Sequence, residues 1–286
     1  MAAISSLGIG SGLDLSNLVS SLLTAERRPI ENSLNRKEAR LASDLSGIGL
    51  MKSALSGFQT SLAGLSDTSS YQTRTSSNSN TEALGVSVSN SAGIGAYNID
   101  INTLAASQSL ATTAYTSTTD TVGTGSIQIR FGTITGPGFT SFAVNADKTV
   151  QTITVDSSNN TLAGLKDHIN NGDFGVSAAI VNDGSGYRLT LTSTDSGAKN
   201  ALEISITDTG DLNNLDTSGL SALAYNASAT NLTQTQVGTD ASILVNGLAI
   251  TSQTNSLTEV IDGVTLNLLK TTTSTISLSV SESSTQ

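Results

Sequence analysis

Hydrophobic positions change their period once along this chain, near residue 70: before it they recur at helical spacing, and after it they alternate. Leu34, Leu41, Ile48, Leu55 and Leu62 fall seven apart, with Met51, Phe58 and Leu65 three beyond the later ones and Leu45 beside them. That spacing predicts a long amphipathic helix from Ile30 to Leu65, roughly 50 Å at about 1.5 Å per residue, carrying a continuous apolar seam. Upstream, Ser11 or Asp14 can cap a first helix whose face is Leu15, Leu18, Val19, Leu22 and Leu23. Pro29 is expected to separate the two helices, because its ring crowds the preceding turn and biases Arg28 away from helical dihedrals. Gly47, Gly49, Gly57 and Gly64 each cost about 1 kcal/mol relative to Ala inside a helix, so the long element is expected to gain its order from packing. A seam of this length outruns strands of roughly 17–20 Å, and it is expected to serve other polypeptide segments.

From about Tyr71 the alternation predicts sheet. Leu84, Val86 and Val88, then Tyr97, Ile99 and Ile101, alternate with polar residues on either side of turn residues Asn90 to Gly95, which predicts a hairpin. Further strands are expected at 126–131, 149–156, 176–181, 187–192, 202–207, 242–245, 264–269 and 276–280. A short helix is expected in TLAGLKDHIN, with Thr161 as N-cap and Leu162, Leu165 and Ile169 on one face. It leads into a strand, a turn from Asn182 to Gly186 and a returning strand. Between Ala105 and Thr124, and between Thr207 and Gly238, the periodicity fades, which predicts loops or inter-domain connections. The fold class is α+β: a long helical N-terminus followed by mainly antiparallel, β-rich domains.

Composition narrows the functional classes. A chain of 286 residues exceeds the usual single core, so two or three domains are expected. Cysteine is absent and His168 is the sole histidine, which excludes disulfides and thiolate metal sites and leaves little equipment for a general base. The expectation is a protein that is not an enzyme, with no cofactor and no metal. The net charge of −10 is unevenly placed. Through Lys52 the chain carries six basic and five acidic residues, which leaves seven and 18 of the totals of 13 and 23 for the remainder. An acidic body disfavours nucleic acid and anionic membrane as partners. The mixed charges from Arg27 to Arg40 read as a solvated helix face. No stretch approaches the roughly 18–20 apolar residues of a membrane span, and no basic segment followed by an apolar one marks a cleaved signal peptide. Taken alone, that predicts a cytoplasmic protein.

Four groups of residues could carry chemistry. Gly8-Ile9-Gly10-Ser11-Gly12 before a helix has the composition of a phosphate-binding loop, but no strand precedes it, and a hinge with a helix cap accounts for it. His168 and Asp167 are sequence neighbours on a helix and do not face each other, so a surface histidine is expected. Ser185 between Gly184 and Gly186 lacks a strand-to-helix elbow and reads as a hairpin turn. In DTGDLNNLD, the oxygens of Asp208, Asp211, Asn213, Asn214 and Asp216 could hold calcium, but their spacing is not that of an EF-hand, and a polar loop is expected.

Three separated stretches resemble one family. GIGSGLDLSNLVSSLLTAERRPIENSLNRKEARLASDLSGIGLMKSALSGFQTSL, followed by YQTRTSSNSN and YNIDINTLAASQSL, resembles the N-terminal region of the bacterial flagellar filament cap family, flagellar hook-associated protein 2. TLAGLKDHINNGDFGVSAAIVNDGSGYRLTLTSTDSGAKNALEI resembles the hook-type repeat of flagellar axial proteins, and DASILVNGLAITSQTNSLTEVIDGVTLNLL resembles the start of the family's C-terminal region. Family members continue into further strands and a long C-terminal helix, so this chain is expected to be the N-terminal portion of such a protein. The resemblance implies a flexible segment with a short helix at 1–29, a leg helix at 30–70, a head domain of 71–110 with 237–286, and a second head domain inserted at 111–236 that contains the repeat at 161–203. It also implies export through the flagellar apparatus without signal cleavage. At the extracellular filament tip it implies a ring of copies, often five, that adjoins hook–filament junction proteins and promotes flagellin folding and polymerisation, with no nucleic-acid or membrane partner. The assembly surface is then expected at Leu15, Leu18, Val19 and Leu22, and at Leu34, Leu41, Leu45, Ile48, Leu55, Phe58, Leu62 and Leu65. A second reading from another class is a surface adhesin whose Ser/Thr-rich head binds host glycan or mucin.

Overall fold

The computed structural model describes residues 14–66, 73–136 and 138–283. The chain divides into two compact units, Met1–Tyr71 and Gln72–Gln286, each described by itself. The fold class is α+β: one long helix, then antiparallel sheets.

Among its described residues the first unit holds a single helix, α1 (Leu15–Ser66, 52 residues), which at about 1.5 Å per residue extends about 78 Å. Asp14 caps it: its Oδ1 accepts the Asn17 N–H at 3.1 Å and its carbonyl accepts that of Leu18 at 3.0 Å. The alternative cap, Ser11, and the glycine-rich run from Gly8 to Gly12 lie outside the described residues. The expected break at Pro29 does not occur, and the short and long helices foreseen on either side of it are one element. Proline removes a single N–H and crowds one turn, whereas its φ near −65° is itself helical. Capped turns precede it and a long run follows, so propagation carries the helix through at the cost of one local defect. Thr24, Thr60 and Ser61 turn their hydroxyls back onto the carbonyls of Ser20, Ser56 and Gly57, which keeps these polar groups satisfied along the helix. Among the described residues no helix is long and apolar enough to cross a membrane.

The second unit contains two hydrophobic cores. The first lies between a five-stranded and a three-stranded sheet. In the five-stranded one, β1 (Arg74–Asn78), β3 (Gly95–Thr103), β12 (Ala241–Val245), β13 (Leu248–Ser252) and β16 (Ile276–Glu282) run in the order β1-β16-β3-β12-β13. In the three-stranded one, β15 (Val264–Leu268) is flanked by β14 (Ser256–Ile261) and β2 (Leu84–Val88). Leu84, Ile99, Ile101, Ile243, Leu266 and Leu278 from the two sheets are buried together. The expected hairpin of β2 with β3 is absent: β2 pairs with β15, and β3 with β16 and β12. The connection between them crosses from one sheet to the other. Alternation specifies which face of a strand is buried and leaves its hydrogen-bonding neighbour open.

Around the second core, β5 (Gly125–Thr135) pairs with β10 (Ala201–Asp208), β6 (Ser141–Val144) and β7 (Gln151–Val155). A further sheet runs in the order β11-β4-β9-β8, from β4 (Ser109–Ala111), β8 (Val176–Asn182), β9 (Tyr187–Ser193) and β11 (Thr233–Gln236). The helix α2 (Leu162–Asn171) buries Leu162, Leu165 and Ile169, and the Thr161 Oγ1 accepts the Gly164 N–H at 3.0 Å, as its place before the apolar face predicts. Thr161→Ala should remove about 1 kcal/mol of stability, read as a fall of about 2–4 °C in the unfolding midpoint of this body by calorimetry; an unchanged midpoint would show that the cap contributes nothing.

The two stretches expected to be loops are structural. They contribute β4, β11 and a 3-10 turn at Gly219–Leu223, together with the buried residues Leu110, Val122, Leu220, Leu223, Tyr225 and Leu232. These apolar positions are too few and too irregularly spaced to form a period, and the alanines between them, Ala222, Ala224 and Ala229, are buried without looking hydrophobic in sequence.

Candidate assembly surface

The heptad positions of α1 are open to solvent. Ile48 is 64% exposed, Leu55 60% and Phe58 61%, and Leu34, Leu41, Leu45, Met51 and Leu62 are exposed likewise. Leu18, Val19 and Leu22 at its start are also exposed. Leu15 and Leu65 are within the helix, and their side chains lie outside the described residues. Because Pro29 does not interrupt the helix, two further residues join the surface that sequence reasoning left out. Leu23 and Ile30 stand at whole multiples of seven before Met51 and Phe58, and both are exposed. That same line carries Lys37 and Asp44 between Ile30 and Met51, where Leu41 and Leu45 keep the apolar stripe continuous. Among the described residues, fourteen exposed large apolar side chains on one helix exceed what a solvated face requires, and a stripe of this kind signals association.

Electrostatics at the head of the helix favour the ordered state. The Ser16 hydroxyl, then the backbone and amide N–H groups of Asn17, donate to Asp14 and hold its carboxyl below the ordinary carboxylate value despite a small opposing effect of burial. A carboxylate at a helix N-terminus also complements the helix dipole.

The other candidates for chemistry are each consumed by local structure. His168 lies in the last turn of α2 with its ring 6.0 Å from that of Phe174, and Asp167 pairs with Lys166 at 2.7 Å instead. Ser185 closes the β8–β9 turn by donating to Asp183 Oδ1 at 2.6 Å; that hydroxyl first, and then Arg188, hold the Asp183 carboxyl well below its usual range. Gly186 follows at φ +152°, where a Cβ would lie 2.5 Å from the Tyr115 carbonyl, so glycine is required at this turn. The DTGDLNNLD oxygens face backbone. Asp208 is buried, its Oδ1 accepts the Gly210 N–H at 2.7 Å, and its Oδ2 accepts those of Leu220 at 2.7 Å and Ser221 at 3.1 Å. Asp211 and Asp216 close turns to Asn213 and Ser218. Among the described residues no three His, Cys, Asp or Glu side chains cluster as a metal site would require.

Comparison with known proteins places this arrangement. The family model for the N-terminus of flagellar hook-associated protein 2 matches residues 11–108, and that for its C-terminus matches residues 238–286. The chain is 34% identical over 278 residues to the B-type flagellar hook-associated protein 2 of Pseudomonas aeruginosa, covering 94% of this chain and 55% of that protein. It belongs to the flagellar hook-associated protein 2 family.

A second member, from Escherichia coli strain K12, is 33% identical over 262 residues, 91% of this chain and 52% of its own. The chain thus spans about half the length of these curated relatives. Solved structures agree on the fold. The D1-D2-D3 domains of the E. coli flagellar cap protein FliD superpose with a TM-score of 0.66 at 30% identity, covering 83% of this chain and 62% of that one. FliD (HAP2) from P. aeruginosa PAO1 superposes with a TM-score of 0.56 at 32% identity, covering 70% and 85%. The two family-model matches leave residues 109–237 between them, and the residues of the second hydrophobic core all fall in that interval.

Proposed function

We propose that this chain is the N-terminal portion of a structural cap at the tip of the bacterial flagellar filament, where it promotes flagellin folding and polymerisation and prevents loss of monomer. The observation that carries the reading is the exposed heptad stripe on a 52-residue helix in a chain of this family. Such a stripe gains its burial from other polypeptide: neighbouring copies in a ring, and flagellin beneath them. The family relation supports an extracellular place at the filament tip, reached through the flagellar export apparatus without signal cleavage and adjoining the hook–filament junction proteins. The cap acts by packing and involves no catalysis. In this reading residues 71–110 and 237–286 form one head domain and 111–236 a second, inserted in it; the two separate cores support that division. Nothing in the structure or among the relatives supports the alternative of a glycan- or mucin-binding adhesin.

The direct test is removal of the gene. Cells without it should carry no filaments or only stubs and release flagellin into the medium as monomer, measured by sedimentation and immunoblotting. Full-length filaments in such cells would overturn the proposal.

A further inference from the structure

The two cores of the second unit are joined by a pair of crossing segments, residues 103–109 and 236–242. Two crossing chains ordinarily make a hinge, since few contacts resist bending there. Here they form one antiparallel ribbon that runs through the joint: Ala111 pairs with Thr233, Ser109 with Gln236, Ala106 with Thr239 and Thr103 with Ser242. Ala106 and Thr239 exchange both backbone hydrogen bonds, at 2.9 and 3.0 Å.

Each end of the ribbon is anchored in one core. Toward the first, the Asn255 side chain clasps Ala105, accepting its N–H at 2.7 Å and donating to its carbonyl at 2.9 Å. Toward the second, Gln108 is fully buried; its Oε1 accepts the Leu202 N–H at 2.6 Å, and its carbonyl accepts that of Ser193 at 3.0 Å. A third segment, 196–200, leaves β9 in the second core and reaches across to the first. The Ala198 N–H donates to Asp240 Oδ1 at 2.7 Å, the Ser196 hydroxyl to the Gln253 carbonyl at 2.6 Å, and the Asn200 amide to Gln253 Oε1 at 3.3 Å. The Gly197 N–H adds a bond to the Ala106 carbonyl at 3.1 Å. Gly197 itself sits at φ +103°, where a Cβ would lie 2.8 Å from Gln253 Cβ and 3.0 Å from Asp240 Oδ1, so the segment fits this close only as glycine.

We propose that this joint is a strut: Asp240, Gln253 and Asn255, with the 196–200 segment and Gln108, lock the two cores into one rigid lever, so that a force on the second core is delivered to the first through the crossing strands without being lost in bending. The directional, partly buried hydrogen bonds fix orientation as well as distance, and bonds on both sides of a ribbon oppose bending in either sense.

The chain has no cysteine, so Val150→Cys, just before β7 on the second core's side, and Leu269→Cys, just after β15 on the first core's side, both exposed, take spin labels specifically. The distance distribution between them in the full chain should be single and narrow. Adding Asp240→Ala and Asn255→Ala should broaden it about twofold or more while amide protection in β3 and β10 persists. A parent distribution as broad as the variant's, or a variant as narrow as the parent, would overturn the proposal. Should the double variant lose protection in either core, Gly197→Ala decides, since it keeps every polar group and wedges a methyl into the joint. A shifted or broadened distribution then supports the strut, and an unchanged one refutes it.

Discussion

Replacing Ile48 and Leu55 together with aspartate in the natural gene should abolish filament growth and leave flagellin in the medium. Both residues are exposed, seven apart on α1, so the change removes no packing from the chain's own described cores and should leave the helix and the sheets folded. What it removes is the apolar surface offered to a partner. Burying each large side chain at an interface is worth about 1.5–3 kcal/mol, and an unpaired carboxylate in its place costs several more, so two substitutions should lower association by more than about 100-fold. Leu50 supplies the control. It is equally exposed, yet it lies two residues from Ile48 and so about 200° around the helix, off the stripe. Leu50→Asp should build normal filaments. Electron microscopy of cells and sedimentation of secreted flagellin read both. If the double variant builds normal filaments, the stripe is not an assembly surface; if Leu50→Asp fails equally, any charge on this helix is harmful and the heptad register has no special role.

Asp208→Ala should be the most damaging single change to the second core. The carboxylate gathers the N–H groups of Gly210, Leu220 and Ser221 at the end of β10, fixing the 3-10 turn Gly219–Leu223 so that its own Leu220 and Leu223 stay buried. Gly219 approaches so closely, at φ +55°, that a Cβ would lie 2.7 Å from Asp208 Oδ2. Removing the acceptor strands several buried donors, each costing about 1–3 kcal/mol, so a loss of at least about 3 kcal/mol is expected in denaturant unfolding. A loss below about 1 kcal/mol would show that water replaces the carboxylate at no cost.

The same carboxylate gives a pH dependence of known sign. Burial raises its pKa, but the N–H groups of Gly210, Ser221 and Leu220 and the Ser221 hydroxyl together outweigh burial and hold it below the ordinary value. A carboxyl lowered in the folded state binds fewer protons there than when unfolded. Its stabilisation is therefore complete above the unfolded pKa, near 3.9, and is lost as pH falls through the lower folded value. Parent and Asp208→Ala proteins should converge in stability on acidification below about pH 4 and differ most near neutrality. A gap between them that stays constant over that range would show that the contribution of Asp208 does not depend on its charge.

Much of this architecture was legible in the residues. The heptad run from Leu34 to Leu62 foretold a helix with an unsatisfied stripe, and the helix is continuous with that stripe exposed. Thr161, Leu162, Leu165 and Ile169 foretold α2 with its cap and buried face, and Asn182 to Gly186 foretold the β8–β9 turn. Strands such as β1 (RTSSN) and β11 (TQTQ) escaped because they lie at sheet edges, where few side chains need be apolar. Leu23, read as part of a separate first helix, and Ile30 were left off the assembly surface because Pro29 suggested a boundary, and only an unbroken helix sets them in register with Phe58.

By itself the sequence determined which side of each regular element is apolar, because a period of 3.5 or 2 is a local property written in adjacent residues. Only the tertiary structure decided which strands pair, that Gln108 and Asp208 lie buried on backbone donors, and that the crossing segments are braced into a strut. Those outcomes depend on contacts between residues such as Ala105 and Asn255, 150 positions apart, and no local spacing records them.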